Sequence, residues 1–130
     1  MWVDSYSNNN FYQWAITLQD KPEPIGSIGV VSQDETLNSL TVGYCLGRYW
    51  WNQGITSEAF SAIIPFLFEK VQVNRIEARH DPRNLYSGKV MLKCGLTYEG
   101  TFRAAERNNM GIADVAVYSI LANEYFATKK

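Results

Sequence analysis

The chain has 130 residues, of which 46% are hydrophobic and 14% aromatic, and its formal net charge is −1 at pH 7. This length and hydrophobic content indicate a single domain with one core. The nearly balanced charge argues against general nucleic-acid binding, which needs a strong basic excess, and no apolar run reaches the roughly 20 residues that span a bilayer.

The two cysteines, Cys45 and Cys94, both lie in apolar segments. A disulfide framework is therefore not expected, and we predict two buried, free thiols. The start of the chain lacks the charged and then apolar pattern of a signal peptide. Together these features predict a soluble protein of the reducing cytoplasm.

The first half of the chain predicts an antiparallel meander of strands. Residues 1–10 are polar and irregular, whereas residues 12–18 carry an apolar or aromatic side chain at every second position, which is typical of a half-buried strand. Apolar residues 25–31 and 40–46 predict the next two strands. Gly43 lies inside the third strand, where a glycine is typical of a bulge or of close approach by a ligand.

A long helix and a strand follow the meander. Residues 55–70 show helical spacing of apolar side chains, with Glu58 in the first turn and Lys70 in the last, as the helix dipole favours. Pro65 predicts a kink, since it removes one helical hydrogen bond at a cost of about 3 kcal/mol. Residues 75–80 alternate as a strand does, and the order strand, helix, strand predicts a parallel crossover.

The last third of the chain predicts a short helix and a hairpin. The predicted elements are a helix over 84–93 closed by Gly95, strands over 96–103 and 112–121, a long polar tip at 106–111, and a terminal helix or tail over 122–130. The whole sequence therefore predicts an α+β fold of layered type. Its sheet is mixed and mostly antiparallel, with one parallel crossover pair and flanking helices.

The segment from Tyr49 to Ala59 is the most informative part of the sequence, because it joins the third strand to the long helix through a turn that contains Gly54. Backbone N–H groups in the first turn of a helix have no intrahelical partner, and the helix dipole places about half a positive charge there. Such a turn predicts an anion site, with a structural role of Gly54 in capping the helix as the alternative. The candidate phosphate ligands are the backbone amides of Trp51, Asn52, Gln53, Gly54, Ile55, Thr56 and Ser57.

This loop resembles the pyrophosphate loop of the GNAT superfamily of acyl-CoA-dependent N-acetyltransferases, in its RimJ/RimL-type ribosomal-protein branch. The family's loop reads Gln or Arg, two residues, Gly, one residue, then Gly or Ala. Trp51 takes the first position, as is familiar in the RimJ/RimL branch, and Gly54 takes the glycine position. Thr56 is a departure at the last position, where its branched side chain would crowd a phosphate or offer its hydroxyl instead. The resemblance extends over residues 14–125 through Asn84, Ser87, Lys93, Gly95, Leu96, Glu99, Gly100, Arg103, Asp114, Tyr118 and Glu124.

The resemblance implies an acetyl-CoA-dependent N-acetyltransferase that works by direct attack of an amine on the thioester in a ternary complex, without a metal. The strand residues Tyr44, Cys45 and Leu46 would then pair with the pantetheine arm of coenzyme A and present an N–H to the developing oxyanion. Core packing is the alternative for Tyr44 and Leu46. Many relatives place a tyrosine, as general acid, at the position that Met91 occupies here.

Three further side chains are candidates for the site. Ser87 would donate a hydrogen bond to the leaving thiolate, or is an ordinary capping serine. Asn84 would reach the pantetheine arm, or caps the helix that it begins. His80, the only histidine, is the candidate general base because imidazole is the commonest base in catalysis, although a lone histidine at a strand end is often structural.

The chemistry of the acceptor favours an α-amine. Neutralising a lysine amine at pH 7 costs about 4.6 kcal/mol and a protein α-amine about 1 kcal/mol, and Thr41 stands where some relatives carry a carboxylate base. We therefore predict a protein N-terminal amine as acceptor, with a small amine such as a polyamine or an antibiotic as the alternative. Relatives carry a strand and two helices before the Tyr12 strand, for which this chain has no room. A second alternative is thus a truncated, non-catalytic fold that binds coenzyme A or forms a homodimer.

Overall fold

The computed structural model describes residues 2–8, 11–18, 21–47, 50–51 and 53–128. Within these ranges the chain forms seven strands and three α-helices. In chain order they are β1 (Trp2–Asn8), β2 (Phe11–Leu18), β3 (Lys21–Asp34), β4 (Ser39–Leu46), α1 (Ile55–Phe66), β5 (Arg75–His80), α2 (Leu85–Lys93), β6 (Thr97–Asn108), β7 (Gly111–Leu121) and α3 (Ala122–Thr128). None of the helices in the described ranges has the length and apolar character needed to cross a bilayer.

The strands form one sheet in the order β1-β2-β3-β4-β5-β7-β6. Among the described strands every neighbouring pair is antiparallel except β4 and β5, which run parallel. Helix α1 lies in the crossover between these two strands, because a parallel pair needs a connection of a dozen or more residues. The predicted α+β fold is confirmed, with its meander, its parallel crossover pair and its flanking helices.

The core lies on the face of the sheet that α1 and α2 cover. Ile16, Ile28 and Ile76 of the strands are at most 1% exposed, and Phe60 of α1 is fully buried against them. A period of two along the strands and of 3.6 along the helix brings these side chains to facing surfaces. Met91 of α2 is 1% exposed, so the residue that replaces the tyrosine of many relatives belongs to the core.

Helix α1 continues through Pro65 and then changes its hydrogen-bonding pattern. It ends at Phe66, and a π-helical segment over Leu67–Val71 follows directly. A proline removes a backbone donor and clashes with the preceding turn, and a π-turn is one of the irregularities that accompany helix bends. Counted through the π-helical segment, the helical stretch ends at Val71, one residue beyond the predicted end at Lys70. The kink at Pro65 stays a prediction.

The predicted irregular start of the chain was wrong. Trp2–Asn8 is strand β1 and pairs with β2 in the antiparallel direction. An edge strand takes its hydrogen bonds from a single neighbour, so it forms without the regular alternation of side chains that a half-buried strand shows. A strand therefore precedes Tyr12 in this chain.

The predicted long tip of the last hairpin was also wrong. Residues 106–108 of β6 pair with residues 111–113 of β7, so the turn consists of Asn109 and Met110. Two features make so tight a turn possible: the Asn108 side chain accepts from the Met110 N–H at 2.8 Å, and Gly111 adopts φ 103°.

The bulge lies in β3 rather than at Gly43. The register of β3 against β4 shifts between Val30 and Ser32, so Val31 is the extra residue, whereas Gly43 pairs regularly with Gly29. A Cβ on Gly43 would lie 2.9 Å from Val31 Cγ1. Glycine is therefore needed at position 43 because the bulged side chain passes close by.

The prediction of two buried thiols was wrong. Cys45 is exposed and Cys94 half-buried, and both are free. Alternation along β4 places Cys45 on the face of the sheet opposite the helices, although the residues on either side of it are apolar. Cys94 Sγ donates to the Ser57 carbonyl at 3.4 Å, and burial raises the pKa of this thiol.

An ion-pair network lies on the face opposite the helices. Arg75 Nη2 is 2.7 Å from both Glu77 Oε1 and Glu99 Oε1, and Arg79 Nε is 2.6 Å from Glu77 Oε2. Burial raises the pKa of Glu77, but hydrogen bonds from Arg75 and Arg79 outweigh this effect, so its pKa lies below the usual value. The hydrogen bond from Arg75 likewise lowers the pKa of Glu99.

Replacing Arg75 with methionine should lower the free energy of unfolding by about 1–2 kcal/mol at pH 7. A carboxylate whose pKa is depressed in the folded state stabilises the fold above its unfolded-state pKa and loses that contribution as the pH falls. The loss in Arg75→Met, measured by chemical denaturation, should therefore shrink below about pH 4. The exposed Arg103 is the matched control, and Arg103→Met should leave stability unchanged. An equal loss in Arg75→Met near pH 3 and near pH 7 would assign its effect to packing rather than charge.

Candidate active site

Strands β4 and β5 separate at one end of the sheet. Their parallel ladder ends at Val42 and Ala78. Beyond this point, within the described residues, Gly43–Leu46 of β4 pair with β3 only, and His80 of β5 pairs with β7. The separation leaves a gap, and the backbone groups of β4 that face it can pair with a ligand in extended conformation.

Helix α1 begins at the same end of the sheet. Gly54 is its N-cap, with φ 77° and ψ 3°, and no side chain of the described residues caps the helix. The left-handed conformation favours glycine. The Gly54 carbonyl accepts from the Glu58 N–H at 3.0 Å. The N–H groups of Ile55, Thr56 and Ser57 are the first three of the helix and have no intrahelical acceptor.

A positive charge lies beside this turn. Lys93 Nζ is 3.6 Å from the position that a Cβ on Gly54 would occupy. Lys93 ends α2, so the packing of α2 beside α1 brings its ammonium to the start of α1. Uncapped amides, a helix dipole and a lysine together suit a diphosphate. In the sequence, Lys93 is recognisable only as a residue of the family's motif. Its position beside Gly54 results from the packing of two separate helices, which the sequence pattern does not predict.

The aromatic part of the loop packs against α2. The Trp51 indole stacks on the ring of Tyr86, with centroids 5.0 Å apart and planes at 2°, and its Nε1 donates to the Leu46 carbonyl at 2.9 Å. The Tyr86 hydroxyl donates to Thr56 Oγ1 at 2.6 Å. Because Thr56 is fully buried, its side chain lies against α2 rather than across the mouth of the turn.

Tyr44 and Ser87 connect β4 to α2 beside the gap. The Tyr44 hydroxyl donates to the Ser87 carbonyl at 3.2 Å, and burial raises the pKa of Tyr44, so the hydroxyl keeps its proton. Ser87 is 8% exposed, and its N–H donates to Asn84 Oδ1 at 3.2 Å. Asn84 is thus the N-cap of α2. Among the described residues the Ser87 hydroxyl has no hydrogen-bond partner.

His80 ends β5 with its ring held in place. Its Nδ1 lies 2.7 Å from the Asp81 carbonyl oxygen. A carbonyl only accepts, which assigns the proton to Nδ1 and leaves a lone pair on Nε2. Nε2 is buried and has no partner among the described residues. It lies 3.3 Å from where a Cβ on Gly88 would stand, close to the Tyr118 hydroxyl. Because Gly88 follows Ser87, α2 brings Ser87 and His80 to the same part of the gap.

The remaining residues that were predicted to bind the cofactor lie at the turn or on β4. Gln53 is exposed and Ile55 half-buried, whereas Ser57 is 6% exposed. The backbone of Cys45 lines the gap on β4, although its side chain projects from the opposite face. Asn52 lies outside the described residues.

A groove of about 330 Å³ runs along the opposite face of the sheet beside the gap. Gly43 and Arg79, which directly follow the end of the β4–β5 ladder, line it together with Val31, Thr41 and Glu106. This groove therefore gives access to the gap from the side opposite α1.

The fold and this site define an α+β domain suited to hold an extended anionic ligand where two parallel strands diverge. Residues 1–97 match the family described as acetyltransferase (GNAT) domain, and the chain belongs to this family. The uncharacterised N-acetyltransferase p20 of Bacillus licheniformis is 33% identical over 113 residues, which cover 87% of this chain and 64% of that protein. The chain thus spans less than two thirds of the length of that relative.

Two further proteins are similar to this chain, one in sequence and one in fold. The ribosomal protein uS5-alanine N-acetyltransferase of Escherichia coli K12 is 32% identical over 65 residues, covering 50% of this chain and 34% of that protein. The solved structure of a mutant spermidine N-acetyltransferase SpeG from Vibrio cholerae superposes with a TM-score of 0.82 at 15% identity, covering 95% of this chain and 72% of that one. The second likeness concerns the fold alone.

Proposed function

We propose that the chain is an acetyl-CoA-dependent N-acetyltransferase whose acceptor is the α-amine of a protein N-terminus. The observation that carries the proposal is the gap beyond Val42 and Ala78, which lies beside the uncapped turn at Gly54. GNAT acetyltransferases use acetyl-CoA, and the matched family provides the reaction class. The free thiols of Cys45 and Cys94 are consistent with a reducing compartment, so we place the protein in the cytoplasm.

The residues at the gap fit the cofactor. The amides of Ile55, Thr56 and Ser57 and the Lys93 ammonium would hold the diphosphate. The free edge of β4 from Gly43 would pair with the amides of the pantetheine arm. When bound, acetyl-CoA supplies the acetyl group as a thioester.

The side chains around the gap then have separate roles. His80 Nε2 is buried on the side of β5 that α2 covers, so it accepts the proton of an acceptor amine only if the amine passes through the gap to that side. Nδ1 already carries the other proton. An N–H of β4 stabilises the developing oxyanion. Transfer of the acetyl group from sulfur to the amine nitrogen would leave the electron pair of the carbon–sulfur bond on coenzyme A, as a thiolate. Ser87 donates a hydrogen bond to this thiolate, which needs little help because an ordinary thiol has a pKa of about 8.5.

The carboxylates of Glu77 on β5 and of Asp81 just after it are both paired, which weakens their attraction for a polyamine. Glu77 is paired with Arg75 and Arg79, and the Asp81 carboxylate is 2.5 Å from Arg83 Nη2. Paired carboxylates attract a polycation less than an uncompensated acidic cluster does. The relative that acts on ribosomal protein uS5 supports the same class of acceptor.

The proposal is tested by calorimetric titration with acetyl-CoA, followed by mass spectrometry of an acceptor panel. The panel holds a peptide with a free N-terminal alanine and an internal lysine, the same peptide already acetylated at its N-terminus, and spermidine. We expect binding of acetyl-CoA and one acetyl group on the free N-terminus. Faster acetyl transfer to spermidine than to the peptide would overturn the proposal of an N-terminal acceptor. Binding of acetyl-CoA without transfer to any amine would indicate the non-catalytic alternative.

Replacing Ser87 with alanine should lower kcat about tenfold and change the Kd for acetyl-CoA by less than about twofold, because a hydrogen bond to a charged group contributes about 1.5–3 kcal/mol. The backbone groups of Ser87 that bond Asn84 and Tyr44 remain in the variant, so the start of α2 should be preserved. Ser61→Ala, at an exposed serine of α1, is the matched control in the same steady-state assay. An unchanged kcat in Ser87→Ala would dismiss the role of this hydroxyl.

A further inference from the structure

The turn before α1 is held by contacts from another helix. Gly54 is left-handed, and within the described residues no side chain caps the helix that it starts. A glycine loses more conformational freedom on ordering than any other residue. The shape of this turn therefore depends on how well its flanking residues are fixed.

One side chain of α2 contacts the loop on both sides of Gly54. The ring of Tyr86 stacks in parallel on Trp51, which precedes the glycine, at a centroid distance of 5.0 Å. The hydroxyl of Tyr86 donates to Oγ1 of Thr56, which follows the glycine, at 2.6 Å. Tyr86 itself is fixed by its place in the first turn of α2, whose N-cap is Asn84.

The bond to Thr56 explains the departure of this chain from the Gly or Ala of the family's loop. Thr56 is fully buried, and a buried hydroxyl needs a hydrogen-bond partner. Tyr86 provides that partner from a position 30 residues away. The threonine and the tyrosine thus form one unit that connects α1 to α2 at the mouth of the turn.

We propose that Tyr86 is a positioning residue for the cofactor: it holds Trp51 and Thr56, on either side of Gly54, so that the first amides of α1 face the diphosphate of coenzyme A. This inference rests on the proposed function. Tyr86 acts through its contacts with Trp51 and Thr56, so its loss should change the affinity for the cofactor and the KM for acetyl-CoA rather than kcat.

Two conservative substitutions test this role. Tyr86→Phe keeps the stack on Trp51 and removes the hydroxyl, and Thr56→Val keeps the shape of the side chain and removes the acceptor. A single hydrogen bond is worth roughly two- to tenfold in an equilibrium constant. Each variant should therefore weaken coenzyme A binding about three- to tenfold by calorimetry and raise the KM for acetyl-CoA by the same factor. For Tyr86→Phe, kcat should stay within about twofold.

The double variant separates a shared bond from two independent effects. Tyr86→Phe combined with Thr56→Val should bind coenzyme A no more weakly than the weaker single variant, because both changes remove the same hydrogen bond. Losses that add in full would overturn the inference.

Tyr98 is the matched control, because its hydroxyl also lies 2.6 Å from a threonine Oγ1, that of Thr101 on β6. Tyr98→Phe is the same chemical change away from the loop, and it should leave the affinity for coenzyme A unchanged.

The outcomes distinguish this inference from the proposed function. If the unmodified chain binds coenzyme A and both single variants bind it equally well, with at most a lower Tm, Tyr86 is only structural and the proposed function stands. If the unmodified chain does not bind coenzyme A, the proposed function and the role of Tyr86 both fail.

Discussion

Replacing Gly54 with valine should raise the Kd for acetyl-CoA at least about 100-fold. Gly54 adopts φ 77°, which a β-branched residue strongly disfavours. The nearest atom that a Cβ there would meet is the Lys93 ammonium at 3.6 Å, so the added side chain would extend into the place proposed for the diphosphate. Losing two hydrogen bonds to a charged group, at about 1.5–3 kcal/mol each, accounts for a change of this size.

The matched control for this prediction is Gly111→Val. Gly111 has φ 103° in the turn between β6 and β7, and a Cβ there would meet no atom within 4 Å. Both variants carry the strain of a positive φ, which costs on the order of 1–3 kcal/mol, so both should show a lower Tm. Only Gly54→Val should lose acetyl-CoA in calorimetry. Equal losses in the two variants would assign the effect to stability, and normal binding by Gly54→Val would remove the phosphate site from this turn.

Local patterns were enough to predict the elements that frame the gap. Helical spacing from Ile55 and alternation over residues 75–80 predicted α1 and β5, and the structure begins both elements at those positions. Burial against one core imposes these periods directly on the side chains. The parallel pairing of β4 with β5 then followed from the length of the crossover between them.

The pairing of strands that lie in separate segments could not be predicted from the sequence pattern. Strand β1 and the outer half of the β6–β7 hairpin take their hydrogen bonds from a neighbouring strand, whatever their own side-chain pattern. The bulge at Val31 likewise depends on the register of β3 against β4. Gly43, which lies close to the Val31 side chain, correctly indicated an irregularity in this part of the sheet. The bulge itself is in β3, whereas the sequence analysis assigned it to the strand of Gly43.

The candidate site also has one part that the sequence predicts and one part that depends on packing between helices. The turn at Gly54 is a local feature and was predictable from a strand, a glycine and a helix start. Lys93 and Tyr86 reach this turn from α2, and no spacing in the sequence brings them there. One signal could have suggested a partner for Thr56: this residue departs from the family's small residue, and a hydroxyl buried at that position requires a hydrogen-bond partner from elsewhere in the fold. It could not have identified Tyr86 as that partner.

Replacing His80 with glutamine should lower kcat about 100-fold with a peptide acceptor, since general-base catalysis contributes roughly 10²–10⁴-fold. A glutamine amide reaches the position of Nε2 and accepts a hydrogen bond there, but it cannot take up a proton. The affinity for acetyl-CoA should stay within about twofold, because the proposed diphosphate site lies elsewhere, at Gly54 and Lys93. Steady-state kinetics and calorimetry on the same preparation measure both quantities.

The pH dependence of the His80→Gln variant separates a base from a structural imidazole. The rate of the variant should rise as the pH passes the ordinary α-amine pKa of about 7.8, because solvent then removes the proton from the acceptor. His80→Asn is the matched control for the ring's structural bond, since its amide can still donate to the Asp81 carbonyl that His80 Nδ1 contacts at 2.7 Å. If kcat is lost in His80→Gln and kept in His80→Asn, the contact with Asp81 is what matters. If both variants keep kcat, the ring only fills the space between Gly88 and Tyr118 and another group takes the proton.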